Sequence, residues 1–152
     1  MRIAIGSDHA GYRLKETVTS SLLDSGVAIE DVGTGNEASV DYPDFAAAVA
    51  RLVVSGEVDR GILICGTGIG MAMAANKIDG ARAATAGDLE SARLARAHND
   101  ANILTLGAQI TRTDLALAIV RVFLETPFAG GRHQRRVDKI TALESSNADA
   151  PR

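Results

Sequence analysis

One short segment restricts the fold of this chain more than any other. Residues 60–65 have the sequence Arg-Gly-Ile-Leu-Ile-Cys, with an apolar run that is continuous rather than alternating. A strand with one face in water alternates apolar and polar side chains, whereas a strand that is apolar on both faces is typical of a parallel sheet covered by helices. This segment therefore predicts the central strand of an α/β protein.

The rest of the chain has the alternation of elements that such a fold requires. Short β-branched runs predict further strands at residues 2–7, 27–32, 81–85 and 102–106. Stretches of helical periodicity predict helices at residues 11–25, from 43 onwards, 69–77, 89–97, 111–125 and 134–144. Right-handed crossovers turn this series into a single-domain, Rossmann-like αβα sandwich with a five-stranded parallel sheet. We assign residues 1–144 to this domain and expect residues 145–152 to form a disordered C-terminal tail.

Composition argues against several classes of function. The 16 basic and 19 acidic residues give a net charge of −3, which provides no electrostatic reason to bind nucleic acid. The single cysteine, Cys65, has no partner for a disulfide and no clustered Cys or His for a zinc site. No apolar run reaches the roughly 18 residues that span a bilayer, and the first residues lead into a predicted strand rather than a signal peptide. We expect a cytoplasmic protein without a metal, a membrane or a nucleic-acid partner.

The segment after the central strand is the strongest candidate for chemistry. Ligands of an open parallel sheet bind beyond the carboxyl ends of its strands. There the chain has Cys65, Gly66, Thr67, Gly68, Ile69 and Gly70. The glycines let the backbone approach a ligand, and the start of the next helix offers unpaired N–H groups to an anion and favours a Cys65 thiolate. A thiolate beside an anion hole suits removal of a proton next to a carbonyl, because the product is an oxyanion.

A purely structural role for this loop is the alternative, with Cys65 as a small buried hydrophobe in a tight turn. The pattern strand–Cys–Gly-x-Gly-x-Gly favours the functional interpretation. Other phosphate-binding motifs do not fit. No Gly-Lys-Ser/Thr follows Gly70, the glycine spacing is not that of a dinucleotide fingerprint, and Met71 stands where a phosphatase loop has arginine.

Two His-containing segments are weaker candidates. Asp8-His9 follows the first predicted strand and suits either helix capping or catalysis. His98-Asn99 ends the predicted helix 89–97, and we expect it near the same edge of the sheet as Cys65. Neither a motif nor a position at the carboxyl edge of the sheet suggests a function for His133, so we expect its side chain to be solvated.

The densest basic segment follows Gly131. Arg132 and Arg136 are four residues apart and share one face of a helix, whereas Arg135 points elsewhere. Two guanidinium groups on one face can converge on a phosphate. A merely solvated basic face is the alternative, and in an acidic chain with an anion-holding loop a small phosphorylated ligand is the better interpretation.

Together these motifs resemble the type B ribose-5-phosphate isomerases, a group that includes allose-6-phosphate and galactose-6-phosphate isomerases. The resemblance extends over residues 1–144 and rests on Ser7-Asp8-His9-Ala10-Gly11, Asp41-Tyr42-Pro43, Cys65 to Gly70 with Ala75-Asn76-Lys77, His98-Asn99, and Gly131-Arg132-His133 with Arg136. It implies interconversion of ribose 5-phosphate and ribulose 5-phosphate, in the non-oxidative pentose phosphate pathway, through a cis-enediolate without metal or cofactor.

The resemblance also implies a role for each matching residue in the reaction. Cys65 would move a proton between carbons 2 and 1, and Thr67 would assist transfer between the two oxygens. His98 would protonate the ring oxygen while Asp8 accepts the proton of the anomeric hydroxyl.

Substrate binding is implied in the same way. The backbone of Gly66, Thr67, Gly68, Ile69 and Gly70 would hold the enediolate. Tyr42 and Asn99 would contact sugar hydroxyls, and Arg132 and Arg136 with His9 would clamp the phosphate. In the family the site lies at a homodimer interface, with His98-Asn99 supplied by the partner, so the resemblance implies a homodimer or a tetramer.

One position departs from the family. Relatives often have arginine after the fifth strand, where this chain has Gln109, which donates hydrogen bonds but carries no charge. Phosphate affinity or preferred sugar length would differ, unless Arg112 compensates. An isomerase of six-carbon sugar phosphates and a non-catalytic sugar-phosphate-binding subunit are therefore alternatives. The presence of Cys65, Thr67 and His98 together argues against the non-catalytic subunit, since a pure binder needs no base.

Overall fold

The structure, a computed structural model, describes residues 1–148, with side chains up to residue 144. It contains a five-stranded parallel sheet in the order β2-β1-β3-β5-β4. The strands are β1 (Arg2–Ser7), β2 (Ala28–Asp31), β3 (Arg60–Cys65), β4 (Ala83–Thr85) and β5 (Ile103–Gly107). The predicted α/β class and the central position of residues 60–65 are confirmed.

Helices connect the strands and cover both faces of the sheet. They are α1 (Tyr12–Asp24), α2 (Tyr42–Val54), α3 (Ile69–Ala75), α4 (Leu89–Asn99), α5 (Thr113–Glu125) and α6 (Arg132–Ala148). All predicted elements are present, with bounds that shift by a few residues. The backbone of residues 145–148 continues α6, and the rest of the expected tail, residues 149–152, lies outside the described residues.

The core is divided by the sheet into two apolar clusters, and β3 contributes to both. Ile62 and Ile64 face the cluster formed with α1, α4 and α5, whereas Leu63 and Cys65 face the cluster formed with α2 and α3. Burying each large aliphatic side chain contributes about 1.5–3 kcal/mol before cavity effects. The continuous apolar run of β3 is thus explained by burial on both sides.

Strand register brings three loops together at the carboxyl edge. Ser7 of β1 pairs with Ile64 of β3, and Cys65 pairs with Gly107 of β5. The segments that follow these strands therefore leave the sheet side by side. Across residues 1–148, no helix combines the length and the apolar character needed to cross a membrane.

Candidate active site

An open cleft of about 490 Å³ lies at the carboxyl edge, over the ends of β1 and β3. Its walls are formed by Asp8, Ala10, Tyr42, Cys65, Gly66, Thr67, Ile69, Gly70 and Met73. The structure therefore brings together the predicted residues of the first loop, the start of α2 and the glycine-rich loop. A larger depression of about 640 Å³ along α1 carries none of these side chains.

Cys65 lies at the floor of this cleft and is held by its own loop. Its side chain is buried, and Sγ accepts a hydrogen bond of 3.1 Å from the Gly68 N–H. Gly68 has a left-handed conformation with φ of 78°, and a Cβ there would lie 2.9 Å from the backbone of Leu106. Glycine is thus needed to aim this N–H at the sulfur. The sulfur is therefore held in a fixed position by the backbone of its own loop.

Thr67 adds a hydroxyl next to the sulfur. Its Oγ1 accepts a hydrogen bond of 3.3 Å from the Ile69 N–H, and the residue is exposed to the cleft. Two N–H groups of the predicted anion hole, those of Gly68 and Ile69, are therefore engaged by side chains of the loop itself. The arrangement places a thiol, a hydroxyl and polarised amides around one small volume.

Asp8 is fixed beside the same loop. It is only 6% exposed, its Oδ1 accepts a 3.0 Å hydrogen bond from the Gly11 N–H, and its own N–H donates to the carbonyl oxygen of Ile64. His9 accepts a hydrogen bond from the Val40 N–H at Nδ1, over 3.2 Å. With Nδ1 as acceptor, the ring proton is on Nε2, which is free to donate to an anion.

Tyr42 lines the cleft, and Gln109 packs beside it on the glycine-rich loop. The Tyr42 ring packs on Gly70 so closely that a Cβ at that position would lie 2.6 Å from Cζ. The Gln109 N–H donates to the Gly66 carbonyl oxygen at 3.0 Å, and its carboxamide covers the Gly66 backbone. Both predicted residues therefore lie against the glycine-rich loop, and Gln109 is exposed.

His98 and Asn99 are not at this edge of the sheet, and the expectation that they lie near Cys65 within one chain is wrong. Helix α4 starts after β4 at the carboxyl edge and runs back over 11 residues, about 16 Å at 1.5 Å per residue. A helix between two parallel strands must return the chain to the amino edge. Asn102, shortly after the end of α4, accepts a hydrogen bond from Gly61 at the start of β3. Asn99 lines a separate cavity of about 560 Å³.

His133 corrects a second expectation, because it is buried rather than solvated. It is 9% exposed and stacks on His98, with ring centroids 4.0 Å apart and planes inclined by 10°. Burial lowers the pKa of His133, and the nearby positive groups of His98, Arg132 and Arg136 lower it further. These residues with Asn99, which we call the α4–α6 cluster, form a second polar region. The stack depends on the packing of α6 on α4, which no local motif encodes.

Lys15 was also missed by sequence reasoning. Its side chain is 2% exposed and forms ion pairs with Asp31 and with Glu16, the second at 2.8 Å. Burial lowers the pKa of Lys15, but the hydrogen bonds to the two carboxylates outweigh that effect and leave the pKa raised. The Lys15 N–H donates to the Gly11 carbonyl oxygen as the first backbone hydrogen bond of α1, so the buried ion pairs lie in the first turn of that helix.

Comparison with known proteins points to one family. Residues 3–140 match the family described as Ribose/Galactose Isomerase. Ribose-5-phosphate isomerase B of Escherichia coli is 47% identical over 143 residues, which cover 94% of this chain and 96% of the relative. The structure of Clostridium thermocellum ribose-5-phosphate isomerase B has a TM-score of 0.96 and 52% identity, covering 97% of this chain and 99% of that one. Mycoplasma genitalium ribose-5-phosphate isomerase B with bound ribulose-5-phosphate has a TM-score of 0.90 and 43% identity, covering 95% and 96%.

Proposed function

The chain belongs to the ribose/galactose isomerase family, and we propose that it interconverts ribose 5-phosphate and ribulose 5-phosphate. The observation that carries this proposal is the cleft at the carboxyl edge, where the Cys65 thiol, the Thr67 hydroxyl and the Asp8 carboxylate face one small volume. A base, a proton shuttle and hydrogen-bond donors for an oxyanion are what an aldose–ketose isomerase requires. Full-length similarity to ribose-5-phosphate isomerases favours the five-carbon substrate.

We assign the proton transfer at carbon to Cys65. The thiolate removes the proton from carbon 2 of the open-chain aldose, and the electron pair moves to the carbonyl oxygen to give a cis-enediolate. Thr67 passes a proton between the two enediolate oxygens, and the thiol returns its proton to carbon 1. We assign stabilisation of the developing negative charge to the backbone from Gly66 to Gly70, where the Gly68 and Ile69 N–H groups would exchange their contacts with Cys65 and Thr67 for the enediolate oxygens. No step in this sequence requires a metal or a cofactor.

Ring opening needs a second acid–base pair. Asp8 accepts the proton of the anomeric hydroxyl, and His98 donates a proton to the ring oxygen. Since these residues lie at opposite edges of the sheet within one chain, we infer that His98 comes from a second copy.

The surface around the cleft supports this dimer. Ile69, Met73 and Ile110 are 51%, 66% and 69% exposed, and a second copy packed over the cleft would remove them from water. We propose a homodimer with two shared sites, which can associate further into a tetramer. Light scattering of the purified protein measures the assembly directly, and a monomer at working concentration would rule out shared sites.

The substrate phosphate is assigned to the α4–α6 cluster. Arg132 and Arg136 are exposed at the start of α6, close enough to His133 to lower its pKa. In a shared site they reach the cleft of the other copy together with His98 and Asn99. His9 contributes the Nε2 proton from the cleft side, Tyr42 and Asn99 contact sugar hydroxyls, and Gln109 offers a neutral donor at the rim.

The decisive experiment is turnover of purified protein on ribose 5-phosphate and on allose 6-phosphate, with EDTA present. We expect activity on the five-carbon substrate that EDTA leaves unchanged. Activity restricted to the six-carbon sugar would keep the mechanism and change the substrate, and folded protein inactive on both would indicate a sugar-phosphate-binding subunit. A free thiol as the catalytic base suits a reducing compartment, so we also propose that the enzyme acts in the cytoplasm.

A further inference from the structure

Asp100 follows the last residue of α4. Its backbone conformation usually belongs to glycine or asparagine, and its negative charge is unfavourable at the end of a helix. Its φ and ψ of 45° and 42° are left-handed, and among residues 1–148 it is the only residue other than glycine with a positive φ. Glycine or asparagine usually occupies this position after a helix. Its carboxylate also lies near the negative end of the helix dipole, where an acidic group is unfavourable. An aspartate here requires a compensating interaction.

Two arginines provide that interaction. Asp100 Oδ1 accepts a hydrogen bond of 2.8 Å from Arg96, one turn earlier in α4. Oδ2 accepts one of 3.0 Å from Arg82, just before β4, and Arg82 Nε also donates to the Asp100 carbonyl oxygen at 3.0 Å. Both carboxylate oxygens are engaged, and the end of α4 is tied to the start of β4.

The network extends into the core through Arg96. Its side chain is 4% exposed, donates a 2.6 Å hydrogen bond to the Ala101 carbonyl oxygen and lies over the Phe123 ring of α5. Arg60, at the start of β3, belongs to the same charged group. Burial lowers the pKa of Arg60, as do Arg96 and Arg82, whereas Asp100 and Asp59 act in the opposite direction. The Asp100 carboxylate therefore balances several positive charges at the amino edge of the sheet.

His98 and Asn99 are the two residues directly before this anchor. We propose that Asp100 is a positioning residue, which fixes the direction in which His98 and Asn99 project from α4 toward the sugar bound by the other copy. This inference rests on the proposed function, in which His98 opens the furanose ring. A glycine would end the helix with less backbone strain, but it has no carboxylate with which to hold Arg82 and Arg96.

The test compares two reactions that need different parts of the site. Turnover of ribose 5-phosphate requires ring opening, whereas exchange of the carbon 1 proton of ribulose 5-phosphate with D₂O starts from an open-chain ketose and uses Cys65. We expect Asp100→Asn to lower kcat for ribose 5-phosphate about tenfold, since small displacements of a catalytic group carry such costs. The rate of carbon 1 proton exchange at saturating ribulose 5-phosphate should change less than about twofold, because the substitution leaves the Cys65 cleft unchanged.

Two further variants make the test independent of folding losses at position 100. Arg82→Gln removes the ion pair between Arg82 and Asp100 at the end of α4, and the Arg82 side chain is 21% exposed. This variant should also lose turnover of ribose 5-phosphate while keeping carbon 1 exchange. Asp24→Asn is the matched control, because Asp24 is an exposed aspartate at the end of α1, and it should leave both reactions unchanged. Thermal unfolding of each variant measures any loss of stability separately.

The outcomes separate this inference from the proposed function. A selective loss of ribose 5-phosphate turnover in Asp100→Asn or in Arg82→Gln supports the positioning role. Parallel losses of turnover and exchange, or no loss in either variant, would overturn it while the wild-type activities confirm the isomerase. Wild-type protein that neither isomerises nor exchanges would overturn both.

Discussion

The Cys65 cleft and the α4–α6 cluster, to which we assign complementary roles, are built in different ways. The cleft consists of loops that leave adjacent strands, and backbone hydrogen bonds fix its main groups, such as Gly68 to Cys65 and Gly11 to Asp8. The cluster depends on packing between two helices and on the stack of His98 against His133. The cleft holds the proposed base, Cys65, within one chain, whereas the proposed acid, His98, lies at the opposite edge of the sheet. Under the proposed division of roles, this separation means that the reaction needs two copies.

Removing the base should have the largest effect and should affect both partial reactions. We expect Cys65→Ala to lower turnover of ribose 5-phosphate by about 10³-fold, within the range for loss of a general base. Carbon 1 exchange of ribulose 5-phosphate, followed by NMR in D₂O, should fall equally. Because Cys65 is 5% exposed, the unfolding temperature of Cys65→Ala and Cys65→Ser must accompany the kinetics. Turnover near the wild-type rate in a folded variant would show that the base has been assigned wrongly.

Removing the acid should affect only one reaction. We expect His98→Ala to lower ribose 5-phosphate turnover by about 10²-fold while carbon 1 exchange is retained. Mixing Cys65→Ala and His98→Ala proteins, with subunit exchange, should then restore about one quarter of wild-type turnover, since half of the dimers are mixed and each has one intact site. If the mixture regains nothing although mixed dimers form, both groups act within a single chain.

The sequence predicts the cleft better than the cluster for a physical reason. Cys65, Thr67 and the glycines are consecutive, and Asp8 follows a neighbouring strand, so parallel pairing alone brings them together. Helix α4 runs from the carboxyl edge of the sheet to the amino edge, so its last residue pair, His98-Asn99, lies far from Cys65. This contradicts our expectation that His98 and Cys65 share one edge of the sheet within one chain. His133 lies 35 positions from His98 and meets it only because α6 packs on α4. Tertiary contacts between helices, unlike strand neighbours, leave no local signature.

The phosphate clamp should affect binding more than turnover. We expect Arg132→Ala to raise KM for ribose 5-phosphate about tenfold with a smaller change in kcat, because the phosphate is held similarly throughout the reaction. Arg135→Ala is the matched control, because it removes the same positive charge from the same helix while leaving Arg132 and Arg136, the two residues assigned to the clamp. A loss confined to kcat would count against the clamp.

The smallest expected effect is on how the stability of the protein depends on pH through His133 of the α4–α6 cluster. Burial, with the positive charges of His98, Arg132 and Arg136, lowers the pKa of His133 below its ordinary value of 6.5. The unfolded chain then binds this proton more tightly than the folded protein, so the group reduces the free energy of unfolding as the pH falls below about 6.5. His133→Phe keeps a flat ring against His98 but cannot titrate. Its unfolding temperature should therefore decline less than that of the wild type between about pH 7.5 and about pH 5.5.

The contribution of the stack can be separated from that of the proton. His133→Ala also cannot titrate, so it should show the same weak pH dependence as His133→Phe, but with a lower unfolding temperature at every pH because the ring contact is lost. Equal pH dependence in wild type and His133→Phe would mean that the imidazole is protonated as easily in the folded chain as in the unfolded one. Protonation of His133 would then not distinguish the two regions, and the cluster would differ from the Cys65 cleft only in its helix packing and in its place at the opposite edge of the sheet.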